Sequence, residues 1–99
     1  MPAADGVVDR PREHRFVLAV DGHEAELVYR RDERRLVLVH TGVPDELGGR
    51  GLGGVLVQHA LDVAAAEGLT VRPECPYARA WLERHPDQAA RVAIDWPES

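Results

Sequence analysis

The residues from Pro44 to Gly54 combine features that can hold an anion. Five of the seven residues from Gly48 to Gly54 are glycine, and Arg50 lies among them. Glycine reaches conformations with positive φ and lets a ligand approach the main chain, and a guanidinium group donates to phosphate oxygens. An apolar helical pattern begins at Leu52, so the unpartnered N–H groups of a helix N-terminus are expected at the same place. The spacing predicts a phosphate site; the alternative is a glycine-rich turn that only joins two elements.

The segment from Gly49 to Gly54 also has the spacing Gly-x-Gly-x-x-Gly, which is typical of dinucleotide-binding folds. Two observations argue against a dinucleotide. In those folds the first strand runs almost directly into the first glycine, whereas the residues from His40 to Gly48 intervene here. Only 25 residues follow Glu74, too few for the further strand–helix units of that sheet.

Two side chains, Cys75 and His40, offer chemistry that a phosphate site alone does not need. Cys75 precedes Pro76, a residue favoured at the first helical position, so the thiol is predicted at a helix N-terminus, where the reactive thiolate is favoured. His40 follows an apolar run, and histidine ordinarily titrates near neutral pH, which suits a general base. Each has a structural alternative: a buried packing residue for the cysteine and a hydrogen-bonding strand end for the histidine.

The hydrophobic pattern predicts the elements that position these residues. Strands are predicted from alternating or continuous apolar runs over residues 14–20, 23–30, 35–41 and 69–72. Helices are predicted from apolar positions three and four apart over residues 52–67 and 76–84. The dipeptide Asp21-Gly22 favours a hairpin turn, so the first two strands are antiparallel. The strand–helix–strand unit at 35–72 favours a parallel pair with a right-handed crossover.

The composition is that of a globular protein, and it narrows the range of partners. Ninety-nine residues, 44% hydrophobic and 29% charged, predict a single domain over residues 1–99, with a core at 14–94 and a flexible polar arm at 1–13. The net charge of −5 argues against nucleic acid. No apolar run reaches membrane length, so we expect no membrane contact and a cytoplasmic location, which suits a single cysteine. Metal-ligand spacing is missing, so no metal is predicted.

The longer segment from His40 to Gly53 resembles the acyl-coenzyme A loop of the GNAT superfamily of N-acetyltransferases. It is most similar to the small, single-domain YjdJ-type branch, in which a strand ending in His-Thr-x-Val-Pro leads into a Gly-x-Gly loop and a helix. That branch has a second segment with a Cys-Pro-aromatic start and a His-Pro end, which here runs from Cys75 to Pro86. The resemblance covers residues 14–87.

The resemblance implies a fold, a cofactor and a reaction. The fold is α+β with a mixed sheet: antiparallel N-terminal strands precede a β-α-β-α unit whose two central parallel strands splay apart. The cofactor is acetyl-CoA, a small-molecule acyl donor, whose acetyl group goes to an amine acceptor of unknown identity. Loop N–H groups are expected to hold its pyrophosphate. Thr41 and Val43 are expected to bind its pantetheine arm. The residues expected to bind it are Thr41, Val43, Gly48, Gly49, Arg50, Gly51, Leu52, Gly53 and Gly54.

Two departures from the family pattern bear on activity. The family motif Arg/Gln-x-x-Gly-x-Gly/Ala begins here with Gly48, for which Arg50 is expected to compensate in part. Many members use a tyrosine of the last helix to protonate the leaving thiolate, but Trp81 or Leu82 occupies that place. Tyr77 is the nearest phenol. The residues expected to be catalytic are therefore Cys75, His40 and Tyr77.

Three hypotheses follow from these residues and from the resemblance. The first is an acetyl-CoA-dependent N-acetyltransferase, a monomer or weak homodimer, whose activity the missing tyrosine is expected to weaken. The second is a coenzyme A-binding module with little or no catalysis. The third is a structural or partner-binding α/β domain in which the glycine loop is only a turn.

Overall fold

The computed structural model describes residues 6–98, which form one five-stranded sheet and three α-helices. The strands, in their order across the sheet, are β1 (Val7–Arg10), β2 (Arg15–Val20), β3 (His23–Asp32), β4 (Arg35–Gly42) and β5 (Thr70–Pro73). The helices are α1 (Leu52–Glu67), α2 (Pro76–Arg84) and α3 (Pro86–Ala89). Short 3-10 turns occupy Pro11–Glu13 and Asp45–Leu47. The first four strands pair antiparallel and β4 pairs with β5 in parallel, which confirms the predicted α+β fold with a mixed sheet.

The N-terminal segment differs from its prediction as a flexible arm over residues 1–13. β1 pairs with β2 along its whole length. The hydroxyl of buried Tyr29 on β3 donates to the Asp9 carboxylate at 2.6 Å, which ties this edge strand to the middle of the sheet. The prediction was wrong for residues 7–13 because the segment has few apolar residues, and its order comes from backbone pairing instead. Residues 1–5, the rest of the predicted arm, lie outside the described residues.

α1 covers one face of the sheet, and its predicted bounds are confirmed. Gly68 ends the helix with a φ of 69°, and its N–H donates to the carbonyl of Ala64. The buried face of α1 is broad, because Val57 and Leu61 are fully buried as well as Leu56, Ala60 and Ala64. α2 packs against a second flank of α1, so more of the helix circumference is shielded than the sheet alone would cover.

An extra residue in β4 decides which of its side chains face the helices. His40 lies opposite Val28, and Leu38 lies opposite the next residue of β3, so Val39 is inserted between the two pairs as a β-bulge. Beyond the bulge the alternation of the strand is shifted by one residue. Thr41, opposite a buried leucine of β3, therefore lies on the helix side of the sheet, and His40 lies on the other side.

β4 and β5 separate beyond Leu38. Their last matched pair is Leu38 with Pro73, and the carbonyl of Leu38 then accepts the N–H groups of both Glu74 (3.0 Å) and Cys75 (2.8 Å). The chain thereby leaves the sheet and enters α2, whose N-cap is Cys75, as predicted. The predicted splay of the two central parallel strands is confirmed.

Raising the pH from about 10 to about 12 should lower the free energy of unfolding through Tyr29. Burial, and next the hydrogen bond to Asp9, raise the pKa of Tyr29 from 10.0 to about 12. The unfolded chain therefore loses this proton at the lower pH. The stabilisation is complete below the unfolded pKa and is lost as the pH rises through the folded one.

The measurement is urea denaturation at about pH 9 and about pH 11, where the wild type should lose about 1 kcal/mol more than Tyr29→Phe. Tyr77→Phe, which removes a tyrosine hydroxyl from a half-exposed ring, is the control and should behave as the wild type. Equal losses in wild type and Tyr29→Phe would contradict the assignment.

Candidate functional site

A cavity of about 370 Å³ opens where β4 leads into α1. It is lined by Thr41, Val43, Pro44, Asp45, Leu47, Gly48, Gly49, Gly51, Leu52, Gly53 and Tyr77. All the residues predicted to bind the coenzyme belong to this lining except Arg50 and Gly54. Of the three residues predicted to be catalytic, Tyr77 belongs to it, whereas Cys75 and His40 do not.

The N-terminus of α1 presents backbone donors to this cavity. The first hydrogen bond within the helix runs from the N–H of Val55 to the carbonyl of Gly51 (3.3 Å), so the N–H groups of Leu52 and Gly53 precede it. Within residues 6–98, no side chain caps this end of α1. Gly51, the N-cap residue, has a φ of 73°. The open donors and the helix dipole together make the end of the cavity at α1 suited to an anion.

The N–H group of Gly48 does not have the role that the resemblance implies, which is to hold the pyrophosphate. Its N–H donates to the carbonyl of Asp45 at 3.0 Å and closes the 3-10 turn, so it does not add to the donors of the helix end. Gly49, next along the chain, has a φ of 81°, a conformation that glycine adopts without strain. The positive-φ glycines of the loop are thus Gly49 and Gly51, on either side of Arg50.

Gly53 and Gly54 bring α2 close to α1. A Cβ atom on Gly53 would lie 2.7 Å from the ring of Tyr77, and one on Gly54 would lie 2.6 Å from Nε1 of Trp81. Both distances are shorter than real Cβ contacts, so a side chain at either position would require the neighbouring ring to shift. The sequence assigned these glycines to anion binding alone; the structure shows that they also let the aromatic residues of α2 pack on α1. Trp81 and Leu82, the two candidates for the place of a catalytic tyrosine, are both buried packing residues.

Cys75 is one side chain away from the cavity. It is 3% exposed, and its Sγ lies 3.3 Å from Oγ1 of Thr41, close enough for a hydrogen bond with either atom as donor. Thr41 lines the cavity and Cys75 does not, so the thiol contacts the cavity wall without being part of it. The bulge at Val39 makes this contact, because it turns Thr41 to the helix side.

Because of the bulge, His40 lies on the opposite face of the sheet from Cys75 and Tyr77. His40 is exposed and lies on the face of the sheet opposite α1, so the structure does not bring the three residues predicted to be catalytic into one cluster. Its role as general base stays a prediction. Arg50 donates to the carboxylate of Asp21 at 2.8 Å instead of reaching the cavity.

Three residues of the lining, Pro44, Asp45 and Leu47, belong to the segment predicted to hold an anion but not to the predicted set of coenzyme-binding residues. Leu47 is fully buried and fixes the loop to the core. The sequence indicates this burial, since Leu47 is a large apolar residue between two carboxylates and a run of glycine. Such an isolated apolar residue in a polar loop indicates an anchor.

Within residues 6–98, no three histidine, cysteine, aspartate or glutamate side chains lie together so as to hold a metal ion. None of the helices in the same part of the chain is long and apolar enough to cross a membrane.

Comparison with known proteins decides the family. The model of the GCN5-related N-acetyl-transferase family matches residues 15–92. The chain belongs to this family. The resemblance to the GNAT superfamily is therefore confirmed, while the assignment to its YjdJ-type branch stays a prediction.

Relatives of this GNAT chain include protein NATD1 from two vertebrates. NATD1 of Homo sapiens is 35% identical over 78 residues, which cover 76% of this chain and 69% of NATD1. NATD1 of Gallus gallus is 36% identical over 81 residues, which cover 79% and 73%. The NMR solution structure of a GCN5-like candidate N-acetyltransferase from Staphylococcus aureus matches with a TM-score of 0.71 at 28% identity, over 93% of this chain and 89% of that one.

Gly54→Ala should destabilise the protein, and Gly53→Ala should not. Alanine in a helix interior is favoured over glycine by about 1 kcal/mol, but an overpacked core costs about 1–3 kcal/mol. At Gly54 the added Cβ meets Trp81, which is 5% exposed and confined. At Gly53 it meets the ring of Tyr77, which is 39% exposed and free to turn outward.

Urea denaturation of the two variants makes a matched comparison, because the substitutions are identical and adjacent in one helix. We expect Gly54→Ala to lower the free energy of unfolding by about 1–2 kcal/mol and Gly53→Ala to change it by less than about 1 kcal/mol. Equal effects at the two positions would contradict the different mobility of the two rings.

Proposed function

We propose that this GNAT chain binds acetyl-CoA in the cavity between β4 and α1 and transfers its acetyl group to an amine. The observation that carries the proposal is the position of the open N–H groups of Leu52 and Gly53 in the wall of that cavity. Together with the positive end of the α1 dipole, they stabilise the negative charge of a diphosphate. This local effect is needed because the protein itself has a net charge of −5.

The pantetheine arm is expected to follow β4 beyond Leu38. There β5 has left the sheet, so backbone groups of β4 on the side away from β3 are released from strand pairing. Thr41 and Val43 both line the cavity on this side. An extended ligand that pairs with the strand would bring its thioester toward Thr41 and the entrance to the splay.

Direct transfer is the reaction that the cavity supports best. The amine nitrogen attacks the thioester carbonyl carbon, the bond from that carbon to the coenzyme sulfur breaks, and the thiolate leaves. Tyr77 lines the cavity and has the phenol that can give its proton to this thiolate. The Tyr77 phenolate then takes up the proton that the attacking nitrogen loses as it becomes the amide, so the proton count balances.

A covalent route through Cys75 is the alternative. Its thiolate would attack the thioester carbonyl, coenzyme A would leave as the thiol after taking up a proton, and the amine would then displace the acetyl group from Cys75. The cysteine sulfur is buried, contacts Thr41 at 3.3 Å and does not line the cavity, so this route requires a movement that exposes the thiol. Direct transfer requires no such movement.

A second candidate function is coenzyme A binding without catalysis. The specific observation that favours it is that Trp81 and Leu82, the two candidates for the place of the family's helix tyrosine, are both buried and have no hydroxyl. Binding of coenzyme A together with no transfer to lysine peptides, polyamines, aminoglycosides or small metabolite amines would support this reading.

Gly51→Leu should weaken acetyl-CoA binding by at least about tenfold, or about 1.4 kcal/mol. Nothing lies within 4 Å of a Cβ placed on Gly51, so a leucine side chain would extend into open space beside the cavity. The left-handed conformation at this residue adds strain of about 1–2 kcal/mol, which a control must reproduce.

Gly68→Leu is that control, because Gly68 has nearly the same φ (69°) at the other end of α1. Calorimetric titration should show wild-type affinity for Gly68→Leu and weak binding for Gly51→Leu, with similar losses of stability in both. Absence of heat from the wild type at millimolar acetyl-CoA would end the proposal.

The two chemical routes are separated by Tyr77→Phe and Cys75→Ala. Under direct transfer, Tyr77→Phe lowers kcat by about a hundredfold with little change in acetyl-CoA affinity, since it removes a general acid. Cys75→Ala then retains turnover, and intact-mass spectra of the wild type mixed with acetyl-CoA show no added acetyl group. An acetyl group on Cys75, with turnover lost in Cys75→Ala, would decide for the covalent route.

A further inference from the structure

The ion pair between Arg50 and Asp21 joins the glycine loop to a turn that is distant in sequence. Asp21 lies in the hairpin turn between β2 and β3, and its carboxylate accepts from Nη1 of Arg50 at 2.8 Å. Arg50 is the cationic side chain of the segment predicted to bind phosphate, yet it is not part of the cavity lining. The partner that occupies it is therefore a carboxylate from outside the loop.

This ion pair is easily exchanged. The two side chains are 47% and 68% exposed, and exposed pairs contribute about 0–1 kcal/mol. Only Nη1 of Arg50 donates to Asp21, whereas a phosphate group can accept two guanidinium N–H groups at once and carries up to two negative charges, so it is the better partner. Nothing lies within 4 Å of a Cβ placed on the neighbouring Gly49 or Gly51, which leaves Arg50 room to move.

We propose that Asp21 determines the affinity of the coenzyme site: it holds Arg50 in the free protein, and a phosphate group of coenzyme A takes Arg50 from it on binding. The inference rests on the proposed function. Asp21 opposes binding because Arg50 must release its carboxylate before it can hold the phosphate. Removal of the charge at Asp21 frees Arg50 and strengthens binding.

Asp21→Asn is a suitable variant because it removes the charge and keeps the turn. Asp21 has a φ of 51°, a left-handed conformation that asparagine tolerates as well as aspartate. Glu67→Gln is the matched control. It also removes one exposed carboxylate that pairs with an arginine, Arg31, but at the far end of α1.

The experiment is calorimetric titration of coenzyme A into the wild type, Asp21→Asn, Arg50→Gln, the double variant Asp21→Asn/Arg50→Gln, and Glu67→Gln. We expect Asp21→Asn to bind about two- to fivefold more tightly than the wild type, Glu67→Gln to equal the wild type, and Arg50→Gln to bind more weakly. The double variant should match Arg50→Gln, since Asp21 acts through Arg50.

Three outcomes overturn the inference while coenzyme A still binds to the wild type: no gain in Asp21→Asn, an equal gain in Glu67→Gln, or a double variant tighter than Arg50→Gln. No binding by any of the five proteins would instead overturn the proposed function, and the inference with it. Repetition with dephospho-coenzyme A identifies the phosphate. Loss of the Asp21→Asn gain assigns Arg50 to the 3′-phosphate, and a retained gain assigns it to the diphosphate.

Discussion

The carbonyl of Leu38 is the point on which the arrangement of the site depends. It accepts N–H groups from both Glu74 and Cys75, so the last strand is held to β4 up to this residue and released after it. One consequence is that α2 starts beside β4, with Cys75 at its N-cap. The other is that the part of β4 from Val39 onward has an unpaired edge on that side, which is where a ligand in extended conformation can pair.

Glycine has two separate uses at the start of α1. Gly49 and Gly51 have positive φ, and they shape the loop so that the helix begins with its donors in the cavity wall. Gly53 and Gly54 have helical positions, and they remove side chains where Tyr77 and Trp81 approach. The run of glycine that reads as a single motif in the sequence thus joins an anion site to a helix–helix contact, and Tyr77 belongs to both.

Sequence reasoning reached the elements with strong periodicity or clear end signals. The bounds of α1 and α2, the N-cap at Cys75 and the parallel pairing of β4 with β5 were predicted from apolar spacing, Gly68 and Pro76. β1 was missed because a four-residue edge strand needs no apolar pattern when backbone pairing holds it. The bulge was missed because Val39 continues an apolar run, and no residue type in the run indicates which position is inserted.

Because Val39 is bulged, the number of residues in β4, and not their types, determines which side chains face the helices. If Val39 were paired and β4 alternated strictly, His40 would face the helices beside the cysteine and Thr41 would face solvent. The exchange of a small hydroxyl for an imidazole next to Cys75 thus depends only on whether Val39 is bulged or paired, while every side chain stays the same.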